Sequence, residues 1–264
     1  MSKQISMSNR VPYFRVEGIK DILRDWNVPL DLYEPLKRYY NTTVNHLTVL
    51  MELFPDELWR WGGISSNPNV TWEFFQEHPD MQWNWEGLSR NPSITWEIIH
   101  ENMDKPWDWF GLSGNPNITW DIVQSHPDKP WNWYWLSSNQ NITWNIVQSN
   151  PNTSWDWYSL SHNPNITWDI VQAHPDKPWH WSGLSENLNI TWDIVQRHLD
   201  TPWSWYHLSM NRNITWEIVQ RCPGIPWDWY HLSKNPSITW EIVQGNPQNP
   251  WRWDGLSCNK FKRH

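Results

Sequence analysis

Tryptophan recurs in this chain at an interval that never changes. One series occupies positions 59, 83, 107, 131, 155, 179, 203, 227 and 251, every step being 24 residues. A second lies two residues further on, from Trp61 to Trp253, and a third occupies 72, 96, 120, 144, 168, 192, 216 and 240. Together they hold 26 of the 28 tryptophans, leaving only Trp26 and Trp135 outside. No insertion breaks the period between Trp59 and Asn259. Such regularity suits a solenoid, in which each unit packs only on its neighbours and one added residue would misalign the stack. Residues 1–58 lack the period and form a separate element, so the chain reads as a cap (1–58), a repeat array (59–259) and a short basic tail (260–264).

Each repeat contains two short segments with helical character. Thr119-Trp-Asp-Ile-Val-Gln-Ser-His126 opens on a good N-cap residue. An acid follows two places later, where the positive end of a helix favours it. At about 100° per residue Trp120, Ile122 and Val123 share one side while Asp121 and Ser125 point away. This segment is therefore an amphipathic helix with its tryptophan buried. The second segment, Pro130-Trp-Asn-Trp-Tyr-Trp-Leu-Ser137, opens on proline, which a first helical position tolerates. It reads as an α-helix or a 3₁₀ turn. Asparagine follows each such segment, from Asn67 to Asn259, often with proline next. That pattern predicts a left-handed C-terminal cap and a stop. The rival architecture is a leucine-rich-repeat horseshoe, with Trp-x-Trp as a strand and Leu-Ser-x-Asn opening an asparagine ladder. In Asn-Pro-x-Ile the next apolar residue comes one place too late for that pattern, so the expected fold class is all-α.

A buried tryptophan removes ~200 Å² from water, worth about 5 kcal/mol at ~25 cal/mol per Å². Repeats this small have few other large apolar side chains, so the rings are needed inside. The expectation is that the periodic indoles cement neighbouring repeats together rather than display themselves to a ligand.

Composition narrows the function classes. The chain has 20 basic against 28 acidic residues, and residues 59–264 carry 13 against 20. This balance disfavours a phosphate backbone as the main partner. No apolar run approaches the ~20 residues of a membrane span. The start, MSKQISMSNRVPYFR, lacks the apolar centre of a secretory signal. Only Cys222 and Cys258 are present, too few for a disulfide framework. An intracellular, non-secreted protein is expected. The Asn-x-Thr triplets at Asn117, Asn165 and Asn213 then read as small polar residues near a helix start, since Ser93 and Ser237 hold the same position.

Two polar columns invite chemistry and decline it. His78, His126, His174 and His198 share a column with Asn102, Asn150, Asn246 and Cys222, as a left-handed C-terminal cap would. Neighbouring members ~10 Å apart cannot share a zinc with ~2 Å ligand bonds. The acids Glu73, Glu97, Asp121, Asp169, Asp193, Glu217 and Glu241 sit where a helix dipole favours them. There is no Gly-x-Ser-x-Gly elbow and no phosphate-binding glycine loop. No catalytic residue, cofactor or metal is expected.

The informative columns are those that vary. One reads Gly62, Glu86, Phe110, Tyr134, Tyr158, Ser182, Tyr206, Tyr230, Asp254, and the next reads Gly63, Gly87, Gly111, Trp135, Ser159, Gly183, His207, His231, Gly255. Phe110, Tyr134, Trp135, Tyr158, Tyr206, His207, Tyr230 and His231 are the candidate partner-binding stripe, on one face of the array. The first functional expectation is a non-enzymatic scaffold that binds a protein through this stripe. The alternative is stacking of single-stranded nucleic acid or carbohydrate on the same rings, which the acidic balance opposes for nucleic acid.

The repeat unit Asn-Pro-Asn-Ile-Thr-Trp-Asp-Ile-Val-Gln-x-His-Pro-Asp-Lys-Pro-Trp-x-Trp-x-x-Leu-Ser-x resembles the tryptophan-rich tandem repeats of large DNA viruses, over residues 59–259. A viral protein in the host cytoplasm is what that resemblance implies. The unit is also similar in length and layout to the leucine-rich repeat variant, with Asn115-Pro116-Asn117-Ile118-Thr119 paralleling its Asn-Pro-x-Thr-Pro segment. This second likeness implies alternating α- and 3₁₀-helices in a right-handed superhelix. Neither family brings catalytic residues to carry over.

At the ends, Ile19, Ile22, Leu23 and Trp26, and then Val44, Leu47, Met51 and Phe54, show helical spacing expected of a terminal cap. The far end is a half repeat, Trp251 to Asn259, followed by Lys260-Phe-Lys-Arg-His264. With no polar closing helix there, that end is expected to pair with a second copy.

Overall fold

The structure is a computed structural model, and it describes residues 58–261 together with Leu47, Leu50 and Met51 of a preceding helical segment. The chain divides into two units, Met1–Asp56 and Glu57–His264. Apart from those three residues, the expected N-terminal cap, including Trp26, lies outside the described residues.

Among the described residues the fold is all-helical, and no strand is present. The horseshoe alternative is thereby excluded. Two series of short helices alternate along the second unit. Threonine-capped helices run from Trp72–Glu77 to Trp240–Gly245, and leucine–serine helices run from Trp61–Ser65 to Trp253–Leu256. Leucine–serine helices pack directly on their counterparts in neighbouring repeats. The result is an α-solenoid with one helix pair per 24 residues.

The second helix begins later than the proline suggests. It spans Trp133–Ser138, not Pro130–Ser137. Pro130 instead shapes a tight turn in which the Trp131 N–H donates to Lys129 O at 2.8 Å. Asn132 then caps the helix, accepting from the Trp135 N–H at 3.0 Å. Asn84, Asp108, Asp156 and Asp228 do the same at 2.7–2.9 Å. These caps are shorter than those of the threonines, at 3.3–3.5 Å.

Neither asparagine column is left-handed. Asn91 is extended, φ −67° and ψ 124°, and among non-glycine described residues only Phe261 has positive φ. The reason is that the side chain, not the backbone, does the work. Asn91 Nδ2 donates to Ser65 O, Asn67 O and Val70 O of the preceding repeat at 2.8–2.9 Å. Asn115, Asn187, Asn235 and Asn259 repeat all three bonds, and Asn139, Asn163 and Asn211 repeat the first two. An asparagine ladder thus exists, but between helical repeats. His126 likewise has φ −131°, and its ring nitrogen meets Ile122 O at 2.9 Å. Asn102, Asn150 and Asn246 donate to the equivalent carbonyl four residues back at 2.8 Å.

Two further ladders run alongside. Ser65, Ser89, Ser113, Ser137, Ser161, Ser185, Ser209 and Ser233 each accept the backbone N–H nineteen residues ahead, as Ser137 Oγ does from Asp156 at 2.9 Å. Asn117, Asn141, Asn165, Asn189 and Asn213, each opening an Asn-x-Thr triplet, also bond backwards, Asn117 Nδ2 to Pro92 O at 2.8 Å and Ile94 O at 3.0 Å. Ser93 and Ser237 reach the matching carbonyls with their hydroxyls. That position therefore joins repeats rather than starting a helix.

The indoles fill the space between repeats. From Trp107 to Trp251 the first series is 5–8% exposed. Trp155 shows how each is held. Its Nε1 donates to Asn150 O at 3.0 Å. Its ring meets Trp133 edge-on at 5.6 Å and tilts across Trp120 at 5.2 Å, both from the preceding repeat. The same three contacts recur at Trp179 and Trp203. Among the periodic tryptophans, only Trp240 and Trp253, in the last units, are exposed, by 45% and 71%.

Candidate interaction stripe

Local helix geometry sets the stripe. Residues two and three places after the cap, and those three or four further on, share one face of each leucine–serine helix. Close packing of these helices brings that face into register from repeat to repeat. The varying residues consequently touch.

The contacts form one unbroken run. Arg90 lies over the Phe110 ring at 5.1 Å and the Trp135 ring at 4.7 Å. Phe110 meets Trp135 at 5.5 Å, and Trp135 meets Tyr134 at 5.3 Å. Tyr134 lies parallel to Tyr158, 6.4 Å apart with 11° between planes. The Tyr158 hydroxyl donates to Glu186 Oε2 at 3.2 Å. Glu186 Oε1 faces His207 Nε2 at 3.5 Å, and Tyr206 adjoins both His207 and His231, at 4.7 and 3.8 Å. Tyr230 follows at 4.9 Å from His231, with Lys234 over its ring at 5.1 Å.

All eight expected stripe residues therefore lie in one run, with unequal display. Phe110, Tyr134 and Tyr206 are exposed by 43%, 45% and 49%. Trp135, Tyr158, His207 and Tyr230 are half-buried. His231 is buried, its ring covered by Tyr206 and its Nδ1 bonded to Asp228 Oδ1 at 2.7 Å. It supports the surface rather than forming it. Beside Trp135, an open groove of about 340 Å³ is lined by Gly114, Pro116, Gln140 and Pro164. The Trp135 indole nitrogen and Arg90 Nε are buried with no protein partner.

Four members were missed by sequence reasoning: Arg90, His162, Glu186 and Lys234. They occupy the position just before the ladder asparagine, which reads Ser66, Arg90, Gly114, Ser138, His162, Glu186, Met210, Lys234, Cys258. That column varies as freely as the other two, which was the signal available.

The electrostatics centre on Glu186. Burial, then the Glu186 carboxylate, push the Tyr158 phenol up to about 12. Burial pulls His207 below the ordinary histidine range; Glu186 opposes this, while His231 and His180 add to it. Burial raises the Asp228 carboxyl, but hydrogen bonds from the His231 backbone and ring outweigh it and hold the group below its usual range. Among the described residues no group of three or more His, Cys, Asp or Glu side chains is placed to hold a metal ion. No helix among them is long and apolar enough to cross a membrane.

Comparison with protein-family models, with curated proteins and with solved structures gave no match to this chain.

Proposed function

We propose that the protein is a non-enzymatic scaffold that binds a partner protein along the aromatic stripe. The observation that carries this reading is the continuous contact run from Arg90 to Lys234, built from the columns that vary. The core columns keep Trp, Leu, Ser and Asn because neighbouring repeats constrain them. Stripe positions vary from repeat to repeat, and many of them carry rings, which suit the centre of an interface. Replacing Tyr134, Trp135, Tyr158, Tyr206 and Tyr230 by Ser is expected to abolish capture of the partner in a pull-down while the far-ultraviolet circular dichroism stays unchanged. Retained capture would rule the stripe out as the interface.

Pairing with a second copy is proposed for a separate surface, where Trp240 and Trp253 stand open. Light scattering at micromolar concentration should give the mass of a dimer, and Trp253→Ser should return it to a monomer. A monomeric wild-type protein refutes the pairing.

A further inference from the structure

The stripe changes character at one repeat. Where its neighbours carry rings, this repeat has Ser182 and Gly183. A Cβ on Gly183 would lie 2.6 Å from Tyr158 O, so no side chain fits there without moving backbone. The group that reaches the stripe from this repeat is Glu186. Its side chain is 22% exposed, with His162 Nδ1 at 3.6 Å and His207 Nε2 at 3.5 Å.

Among the described residues no lysine or arginine pairs with Glu186. Elsewhere on this face Glu86 is paired with Arg90 and Asp254 with Arg252, each at 3.2 Å. Glu186 differs from both, being held by a phenol and two imidazoles. His207 has its other nitrogen 2.6 Å from Ser204 Oγ. Rings surround the carboxylate: Tyr158, with His180 edge-on to it at 4.9 Å, and Tyr206 beside His207. A carboxylate attracts a cation through charge-assisted hydrogen bonds, and an exposed ring nearby adds the pull of its quadrupole.

We propose that Glu186 anchors a lysine or arginine side chain of a peptide lying along the stripe. The inference rests on the protein-binding reading above and specifies the partner's chemistry. A nucleic-acid strand would instead bring phosphates against this carboxylate. The site is also tuned by acid. Two histidines face the carboxylate, His162 on the preceding repeat and His207 on the next; His180 lies against Tyr158 and His231 against Tyr206. Burial holds the His207 ring below the ordinary histidine range. A protonated His207 ring compensates the carboxylate itself and repels an incoming cation.

A displayed library of random peptides selected on the full chain at pH 7.5 tests this, with selected peptides then measured by fluorescence anisotropy. The expected peptides carry a lysine or arginine. Their affinity falls about tenfold or more on Glu186→Gln, as for a lost hydrogen bond to a charged group. It falls equally when the arginine is replaced by citrulline or the lysine by norleucine, which needs no protein variant, and it weakens as the pH is lowered. Peptides lost on the Tyr134, Trp135, Tyr206 and Tyr230 to Ser variant but indifferent to Glu186→Gln and to charge removal overturn the anchor and leave the stripe. Peptides indifferent to the stripe variant, or a selection that yields none, overturn both.

Discussion

Asn163 holds more of this molecule together than its size suggests. Its Nδ2 donates to Ser137 O at 2.8 Å and Asn139 O at 3.0 Å, and its Oδ1 accepts from the Asn165 N–H at 2.8 Å. The residue is fully buried. Removing it takes these bonds from Ser137 O and the Asn165 N–H, and leaves Asn139 O only the Ile142 N–H at 2.9 Å. At ~1 kcal/mol per bond the loss is about 3 kcal/mol. Asn163→Ala should lower the urea midpoint accordingly, whereas Asn152→Ala, at an exposed loop position, should leave it unchanged. Equal midpoints would show the ladder to be incidental. Asparagine at a fixed place after a helix was visible in the sequence, but its role was not. A C-terminal cap and a ladder both put Asn there, and only its backbone angles and its bonds to the previous repeat separate them.

Helices of four to six residues are far too short to persist alone in water. Caps and neighbours hold them. The side chains that cap at short distance are the Asn and Asp between the two tryptophans, so Asp156→Ala should cost about 1 kcal/mol. Thr191, which makes no side-chain cap bond, should cost little when changed to Ala. Chemical denaturation of the two variants distinguishes them; equal losses would mean that cap geometry is not what stabilises these helices. The threonine was legible as a cap because it precedes an acidic, apolar-periodic run. Asp156 was not, because it lies between two tryptophans and behind a position often filled by proline, where a helix start seemed already accounted for. Burial of the first tryptophan pulls that stretch out of the helix and moves the cap forward.

Every bond between repeats in the ladders spans a separation fixed by the period, 19, 21, 23, 24, 25 or 26 residues. Deleting a whole unit, residues 116–139, therefore lets Asn115 run on to Gln140 with all three ladders in register. That protein should keep its helicity and unfold as one transition at a somewhat lower midpoint. Deleting one residue fewer, 117–139, should break the ladders at the junction and split or sharply lower the transition. If both deletions behave alike, the register is not what couples the repeats. The same close packing of leucine–serine helices that keeps the register also draws the stripe together.

The amino-acid sequence by itself determined the period, the all-helical class, the burial of the indoles and the two aromatic columns of the stripe. These follow from spacing and from the physical need to bury large rings, which repetition makes readable. The tertiary structure alone decided which polar groups meet. It turned asparagine and serine into ladders, placed His231 beneath Tyr206, and set Glu186 between Tyr158, His162 and His207. Those pairings join residues on different repeats, and their geometry depends on how closely one helix lies on the next, a distance that spacing along the chain does not encode.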